Sequence, residues 1–146
     1  QENLFMALPQ ALASGHWYAS AGDGRVPHIA RDDIAAAIAA GLTRPAENKI
    51  YTLTGATALT TQEVAERVAK ATGKPLAVVQ VTDEQLAGGM KAAGVPEAFI
   101  PTLVSFDTAT RNGGLATVTG DAATLSGRTL VTLDEFLVKN AAALGG

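Results

Sequence analysis

The chain has 146 residues, of which 47% are hydrophobic and 17% charged, and it contains no cysteine. This length and composition predict one folded domain with a closely packed core. The formal net charge of −3 argues against binding to nucleic acid or an anionic membrane, and the lack of cysteine excludes disulfides and thiolate metal sites.

The first residues predict a helix that starts almost at once. Leu4, Leu8 and Leu12 recur at helical spacing, and Gly15 stands at a C-cap position, so we predict a helix over residues 3–14. No initiator methionine is present, and the stripe begins early, as expected of a chain that continues upstream. Apolar runs stay shorter than the roughly 18 residues of a membrane span, and we expect a soluble, cytoplasmic protein.

A hairpin and a second helix are predicted next. The Gly-Asp-Gly sequence at 22–24 favours a tight turn between two short strands, over residues 16–21 and 25–30. Asp32 is then expected to cap a helix. The apolar stripe of that helix consists of Ile34, Ile38 and Leu42.

Three Thr-x-x-Glu or Thr-x-x-Gln sequences predict helix starts through reciprocal capping bonds. The N-cap residues and their partners are Thr60 with Glu63, Thr82 with Gln85, and Thr132 with Glu135. The first two of these helices are expected to end at Gly73 and Gly94, where the left-handed conformation is favoured.

The remaining elements complete an alternation of strands and helices. We predict strands over 50–54 and 76–81, helices over 99–106 and 121–125, a polar loop over 108–114 and a fraying tail at 145–146. This order predicts α/β or α+β construction.

The turn that follows residues 50–54 resembles a dinucleotide-binding turn only in part. It contains Gly55 but no second or third glycine, and Ala58 and Leu59 stand where the backbone would approach a pyrophosphate. We therefore interpret it as an ordinary strand-to-helix turn, and we predict that this chain by itself does not bind NAD(P)H.

No other group of residues points to chemistry of its own. His16 and His28 have no nearby carboxylate cluster, so a structural or exposed role is expected rather than a metal site. Asp32 and Asp33 suit the first turn of a helix. Trp17 and its neighbour tyrosine either stack on a planar ligand or pack into the core.

Seven blocks occur in the order typical of one family. They lie at residues 2–9, 19–25, 29–37, 49–55, 59–65, 73–75 and 105–107. Together they resemble the second half of the NmrA-like atypical short-chain dehydrogenase/reductases. The subgroup most similar is the type 2 NAD(P)H:quinone oxidoreductases, with the triphenylmethane reductases nearby.

The resemblance implies an α/β fold in which residues 1–146 form the C-terminal substrate-binding lobe of a Rossmann-type protein, built of helices, short strands and a hairpin. It implies a Gly-rich N-terminal half that binds NADP and whose sheet gains residues 50–54 as a strand. The complete protein would then reduce a quinone by hydride transfer between the two halves. A non-catalytic NmrA-type redox sensor is the alternative. The isolated chain is expected to be inactive and to self-associate through an exposed apolar face formed by residues 50–53 with Leu4, Leu8 and Leu12.

The resemblance implies a role in the substrate site for two residues of this chain. Asn3 matches the family's asparagine that follows glutamate and lines the substrate pocket, which implies that its amide donates to a quinone oxygen. A helix N-cap is the alternative at the same position. Phe106 is implied to cover the quinone ring, with ordinary core packing as the alternative. No catalytic residue, metal ligand or cofactor-binding residue is assigned in this chain.

Overall fold

The computed structural model describes residues 1–45 and 48–145, which form seven helices and four short strands. The helices are α1 (Leu4–Ser14), α2 (Arg31–Leu42), α3 (Thr61–Thr72), α4 (Asp83–Ala92), α5 (Ile100–Arg111), α6 (Asp121–Ser126) and α7 (Leu133–Gly145). The strands are β1 (His16–Ala19), β2 (Arg25–Val26), β3 (Leu59–Thr60) and β4 (Ala77–Gln80). The expectation of an α/β fold, rich in helix and with short strands, is confirmed.

All three predicted capping boxes are confirmed. At the start of α3, the Thr60 hydroxyl accepts from the Glu63 amide at 3.1 Å, and the Thr60 amide donates to the Glu63 carboxylate at 2.9 Å. Equivalent reciprocal bonds begin α4 at Thr82 and α7 at Thr132. Each box satisfies two amides that a helix N-terminus would leave unpaired.

The predicted hairpin is wrong. β1 pairs in parallel with β4, with His16 opposite Ala77, whereas β2 pairs antiparallel with β3, with Arg25 opposite Thr60. The two arms of the 22–24 turn therefore belong to different two-stranded sheets. The physical reason is that the Ser20 amide and carbonyl are bound by side chains of α5, so the chain leaves β1 before it can fold back on it.

Two hydrophobic clusters hold these elements together. The first core lies between α1, α3 and α7, and Leu8, Val68 and Leu137 are completely buried there. Leu4 and Leu12 are buried in the same core, so the prediction that Leu4, Leu8 and Leu12 belong to an exposed face is wrong. The second core is smaller and joins α2 to α6 through Ala37, Ala122 and Leu125. Tyr51 and Leu53 pack against this second core.

Helix α2 differs from its prediction in two ways. Its N-cap is Ala30, which forms no side-chain cap, so the predicted capping role of Asp32 is wrong. Two of the three residues of the predicted stripe also face outward, because Ile38 is 50% exposed and Leu42 is 83% exposed, whereas Ile34 is partly buried. Small residues such as Ala37 allow α2 to approach α6 closely, and this contact leaves the larger side chains on the outer face.

Residues 50–54 do not form a strand with any described segment, so the strand predicted there is not formed within the described residues, and its addition to the sheet of an N-terminal half stays a prediction. Both backbone groups of Thr52 are bound by side chains instead. Its amide donates to Asp121 at 2.9 Å, and its carbonyl accepts from the Thr119 hydroxyl. An extended segment becomes a strand only when a partner strand offers backbone groups, and none of the described residues supplies that partner.

The predicted polar loop over 108–114 is replaced in part by helix, because α5 continues to Arg111. The hydroxyls of Thr108 and Thr110 donate to carbonyls four residues back, at 3.3 Å and 2.8 Å. At the end of the chain α7 includes Gly145. Gly146 lies outside the described residues, so fraying of the tail stays a prediction.

Candidate functional site

An apolar face lies exposed on α2 and the segment at 50–54. Leu42 is 83% exposed and Ile50 is 92% exposed. A cleft of about 400 Å³ runs between α2 and this segment and is lined in part by Tyr51 and Leu53. Exposed apolar surface of this kind marks a contact with another protein surface or a ligand.

Asn3 lies at the N-cap position of α1, but its side chain does not cap the helix. The side chain is exposed, and among the described residues it forms no hydrogen bond. The cap that was the alternative to substrate contact is therefore not formed. Its amide group remains available to a ligand.

Phe106 lies on α5 with 56% of its surface exposed. Ordinary core packing, the alternative to a ligand contact, is therefore excluded for this ring. Phe99 at the start of the same helix is also exposed. Asn3 and Phe106 belong to separate helices, and the described contacts do not bring their side chains together.

The cluster that sequence reasoning missed joins β1, α4 and α5. We call Ser20, Asp83, Asp107 and Arg111 the polar cluster. The Asp107 carboxylate accepts from the Ser20 amide at 2.7 Å, and Arg111 donates to the Ser20 carbonyl. Arg111 also donates to both oxygens of Asp83, each at 3.0 Å. The i, i+4 spacing of Asp107 and Arg111 was the signal available in the sequence.

The two carboxyl groups of the polar cluster are in opposite electrostatic situations. Hydrogen bonds from Arg111 hold the pKa of Asp83 well below its usual range. Burial instead raises the pKa of Asp107. An open cleft of about 430 Å³ lies beside this cluster, at the carboxyl ends of the parallel strands β1 and β4.

The turn at Gly55 does not have the geometry of a dinucleotide cradle. A Cβ atom at Gly55 would lie 2.2 Å from the His28 carbonyl oxygen. The Gly55 amide donates to the Pro27 carbonyl at 3.2 Å. The only glycine of this turn therefore serves contact between two backbone segments, whereas a pyrophosphate needs open backbone amides at a helix N-terminus. The residues of this turn do not fit the pyrophosphate of an NAD(P) cofactor.

The other residues that the sequence singled out have structural surroundings. His28 is partly buried, and burial lowers its pKa to about 4. Asp33 is buried, and its carboxylate accepts from the Val131 amide at 2.7 Å. Trp17 packs against the first core, whereas Tyr18 is exposed and stacks on His16.

Two kinds of site are missing from the part of the chain that the structure describes. No group of three or more histidine, aspartate or glutamate residues there is arranged to hold a metal ion. Over residues 1–45 and 48–145, no helix is both long enough and apolar enough to cross a membrane.

These features describe an α/β fold with an exposed apolar face and without a dinucleotide cradle at Gly55. No family model matches the sequence. NAD(P)H azoreductase of Xenophilus azovorans is 34% identical over 145 residues, which are 99% of this chain and 51% of that protein. Quinone oxidoreductase 2 of Escherichia coli (strain K12) is 30% identical over 92% of this chain and 47% of that protein.

Solved structures agree with these relatives. The NADPH complex of an Escherichia coli quinone oxidoreductase matches with a TM-score of 0.89 and 29% identity, over 94% of this chain and 49% of that one. Citrobacter sp. triphenylmethane reductase with NADP(H) matches with a TM-score of 0.86 and 30% identity, over 95% and 50%. The chain is thus homologous to the NmrA-like reductases, as its sequence blocks indicated, and it spans about half the length of the relatives it matches.

Proposed function

We propose that the complete protein is an NADPH-dependent reductase of quinones and that this chain forms the substrate side of its cleft. The observation that carries the proposal is the similarity to quinone oxidoreductase 2 along 92% of the chain. The azoreductase and triphenylmethane reductase relatives support the broader class of NAD(P)H oxidoreductases. Their names also point to conjugated, planar acceptors.

The dinucleotide is proposed to bind to a second, N-terminal half of the protein. The surroundings of Gly55 support this division, because its Cα lies against the His28 backbone and its amide is bound to Pro27, so neither is presented to a phosphate. The exposed face of α2 and the residues at 50–54 form the surface that this half would cover. Exposed Leu42 and Ile50 would then be removed from water, at a gain of about 25 cal/mol per Å² of apolar area.

Within this division, the chain's own task is to orient the acceptor and exclude water. The Asn3 side-chain amide is proposed to donate a hydrogen bond to a quinone oxygen. The exposed ring of Phe106 is proposed to lie against the acceptor's face, where aromatic rings stack favourably. Reactions of this type draw their chemistry from the cofactor, so the protein contributes mainly positioning.

Steady-state assays of the complete protein with NADPH and a benzoquinone test this function. We expect turnover, with an azo dye tested as the second acceptor. Tight NADPH binding without turnover of either acceptor would instead favour a redox sensor that regulates a partner. The cytoplasmic location stays a prediction from the sequence.

Asn3→Ala in the complete protein should impair quinone reduction more than NADPH affinity. A donor directed at a developing oxyanion acts mainly in the transition state, and its loss costs about 2 to 3 kcal/mol in a dry site, or roughly 30- to 150-fold in kcat/KM. Gln10→Ala is the matched control, because Gln10 is an exposed amide two turns further along α1. An unchanged kcat/KM for quinone in Asn3→Ala would remove Asn3 from the site.

The 146-residue chain alone should not bind NADPH, since the amide of the only glycine in the Gly55 turn is already bound to the Pro27 carbonyl and the rest of the turn has no glycine to let a pyrophosphate approach the backbone. Titration calorimetry of this chain is the measurement, and the complete protein provides the positive control. Saturable binding to the chain alone, with a Kd below roughly 100 μM, would contradict the assignment of the cofactor to another half. Light scattering in the same buffer should detect self-association through the exposed apolar face.

A further inference from the structure

Helix α5 is held by both apolar packing and polar contacts, and Leu103 and Val104 on it are partly buried. Its buried residues are Ile100 and Thr110, and neither belongs to the first or second core. Phe99 and Phe106 of this helix are exposed. Apolar packing therefore holds the inner side of α5, but it does not hold the exposed ring of Phe106 directly.

The polar cluster supplies the missing constraint. Asp107 and Arg111 lie one turn apart on α5 and bind the amide and the carbonyl of the same residue, Ser20. Arg111 also binds Asp83 with two hydrogen bonds, and the Thr108 hydroxyl donates to Asp83 at 2.9 Å. Paired hydrogen bonds of this kind restrict orientation as well as distance.

Close backbone packing supports the same orientation. A Cβ atom at Gly24 would lie 2.2 Å from the carbonyl oxygen of Thr110. The turn after β1 therefore lies directly against the last turn of α5. Because a helix advances about 100° per residue, fixing the direction of Asp107 also fixes the direction of Phe106 beside it.

We propose that Asp107 and Arg111 are positioning residues that orient Phe106 toward the planar acceptor. This inference rests on the proposed function, because it assumes that the Phe106 ring contacts the acceptor. The two residues act through the helix and do not contact the acceptor themselves.

A double-mutant cycle in the complete protein tests the proposal. Asp107→Ala removes the acceptor for the Ser20 amide, whereas Asp107→Asn retains an oxygen at that position. A displacement of about 1 Å can cost on the order of a hundred-fold in rate. We therefore expect Asp107→Ala to lower kcat/KM for benzoquinone by at least roughly ten-fold, without a change in KM for NADPH, and Asp107→Asn to restore most of the loss.

The decisive comparison uses Phe106→Ala. If Asp107 acts through this ring, Asp107→Ala should have no further effect on kcat/KM in the Phe106→Ala background. Additive losses in the cycle would overturn the positioning role while leaving the proposed function intact. Absence of turnover in the unmutated protein would overturn both.

Hydrogen exchange and a surface control separate orientation from global stability. Asp107→Ala should accelerate exchange of the α5 amides and leave those of α1 unchanged. Glu97→Ala breaks only the exposed pair with Lys91 and should change neither kinetics nor exchange. Equal acceleration in α1 and α5 would mean that Asp107 stabilises the whole lobe, and it would also overturn the proposal.

Discussion

Gly55→Ala should reduce the unfolding free energy of the chain by about 3 kcal/mol or more. The new Cβ atom would lie 2.2 Å from the His28 carbonyl oxygen and 3.3 Å from the Pro27 carbonyl carbon. Backbone atoms cannot move away as a flexible side chain does, so the two segments must separate. That separation breaks the hydrogen bond from the Gly55 amide to Pro27, and the cost lies at the upper end of that measured for overpacking.

Urea unfolding of Gly55→Ala and Gly41→Ala measures this effect against a matched substitution. Gly41 lies in α2, and a Cβ atom there would meet nothing within 4 Å. Alanine in a helix is favoured over glycine by about 1 kcal/mol, so Gly41→Ala should stabilise the chain slightly. Equal midpoints for the two variants would contradict the close approach of Gly55 to His28.

Acidification should lower the unfolding free energy of the chain by about 3 kcal/mol through the protonation of His28 alone. Burial lowers the pKa of this imidazole from 6.5 to about 4. Below pH 6.5 the unfolded chain therefore takes up a proton that the folded chain does not. The contribution is constant above that pH and falls as the pH drops toward about 4, by about 1.4 kcal/mol per pKa unit.

About 2 kcal/mol of this loss should fall between about pH 7 and about pH 5. The amino terminus, with a lowered pKa, and Asp107, with a raised pKa, also contribute to the pH dependence, so the contribution of His28 is the difference in unfolding free energy between the unmutated chain and a His28 variant. Carboxyl groups with a lowered pKa, such as Asp83, lose their stabilisation at lower pH. His28→Gln should remove most of the slope, whereas His16→Gln, at an exposed ring, should keep it. An unchanged slope in His28→Gln would show that His28 ionises freely in the folded chain.

Several helix boundaries were determined by the sequence alone. Thr60, Thr82 and Thr132 each have a capping partner three residues on, and each begins a helix in the structure. Gly15 and Gly73 end helices in the left-handed conformation. Capping boxes and C-terminal glycines depend on contacts within four residues, so the sequence predicts them without knowledge of the fold. The family resemblance, carried by blocks along the whole chain, is equally a property of the sequence.

Strand pairing and the exposed surfaces were decided only by the tertiary structure. β1 looked like one arm of a hairpin, yet it pairs with β4 because side chains of α5 bind Ser20. A strand's backbone groups can bind any partner, so the choice depends on which distant segments pack together. For the same reason, helical periodicity in α2 predicted an apolar stripe but not its direction, and Leu42 lies exposed. Asp107 and Arg111 were visible as a helical pair, whereas their shared partner Ser20 comes from the other end of the chain and is identified only by the fold.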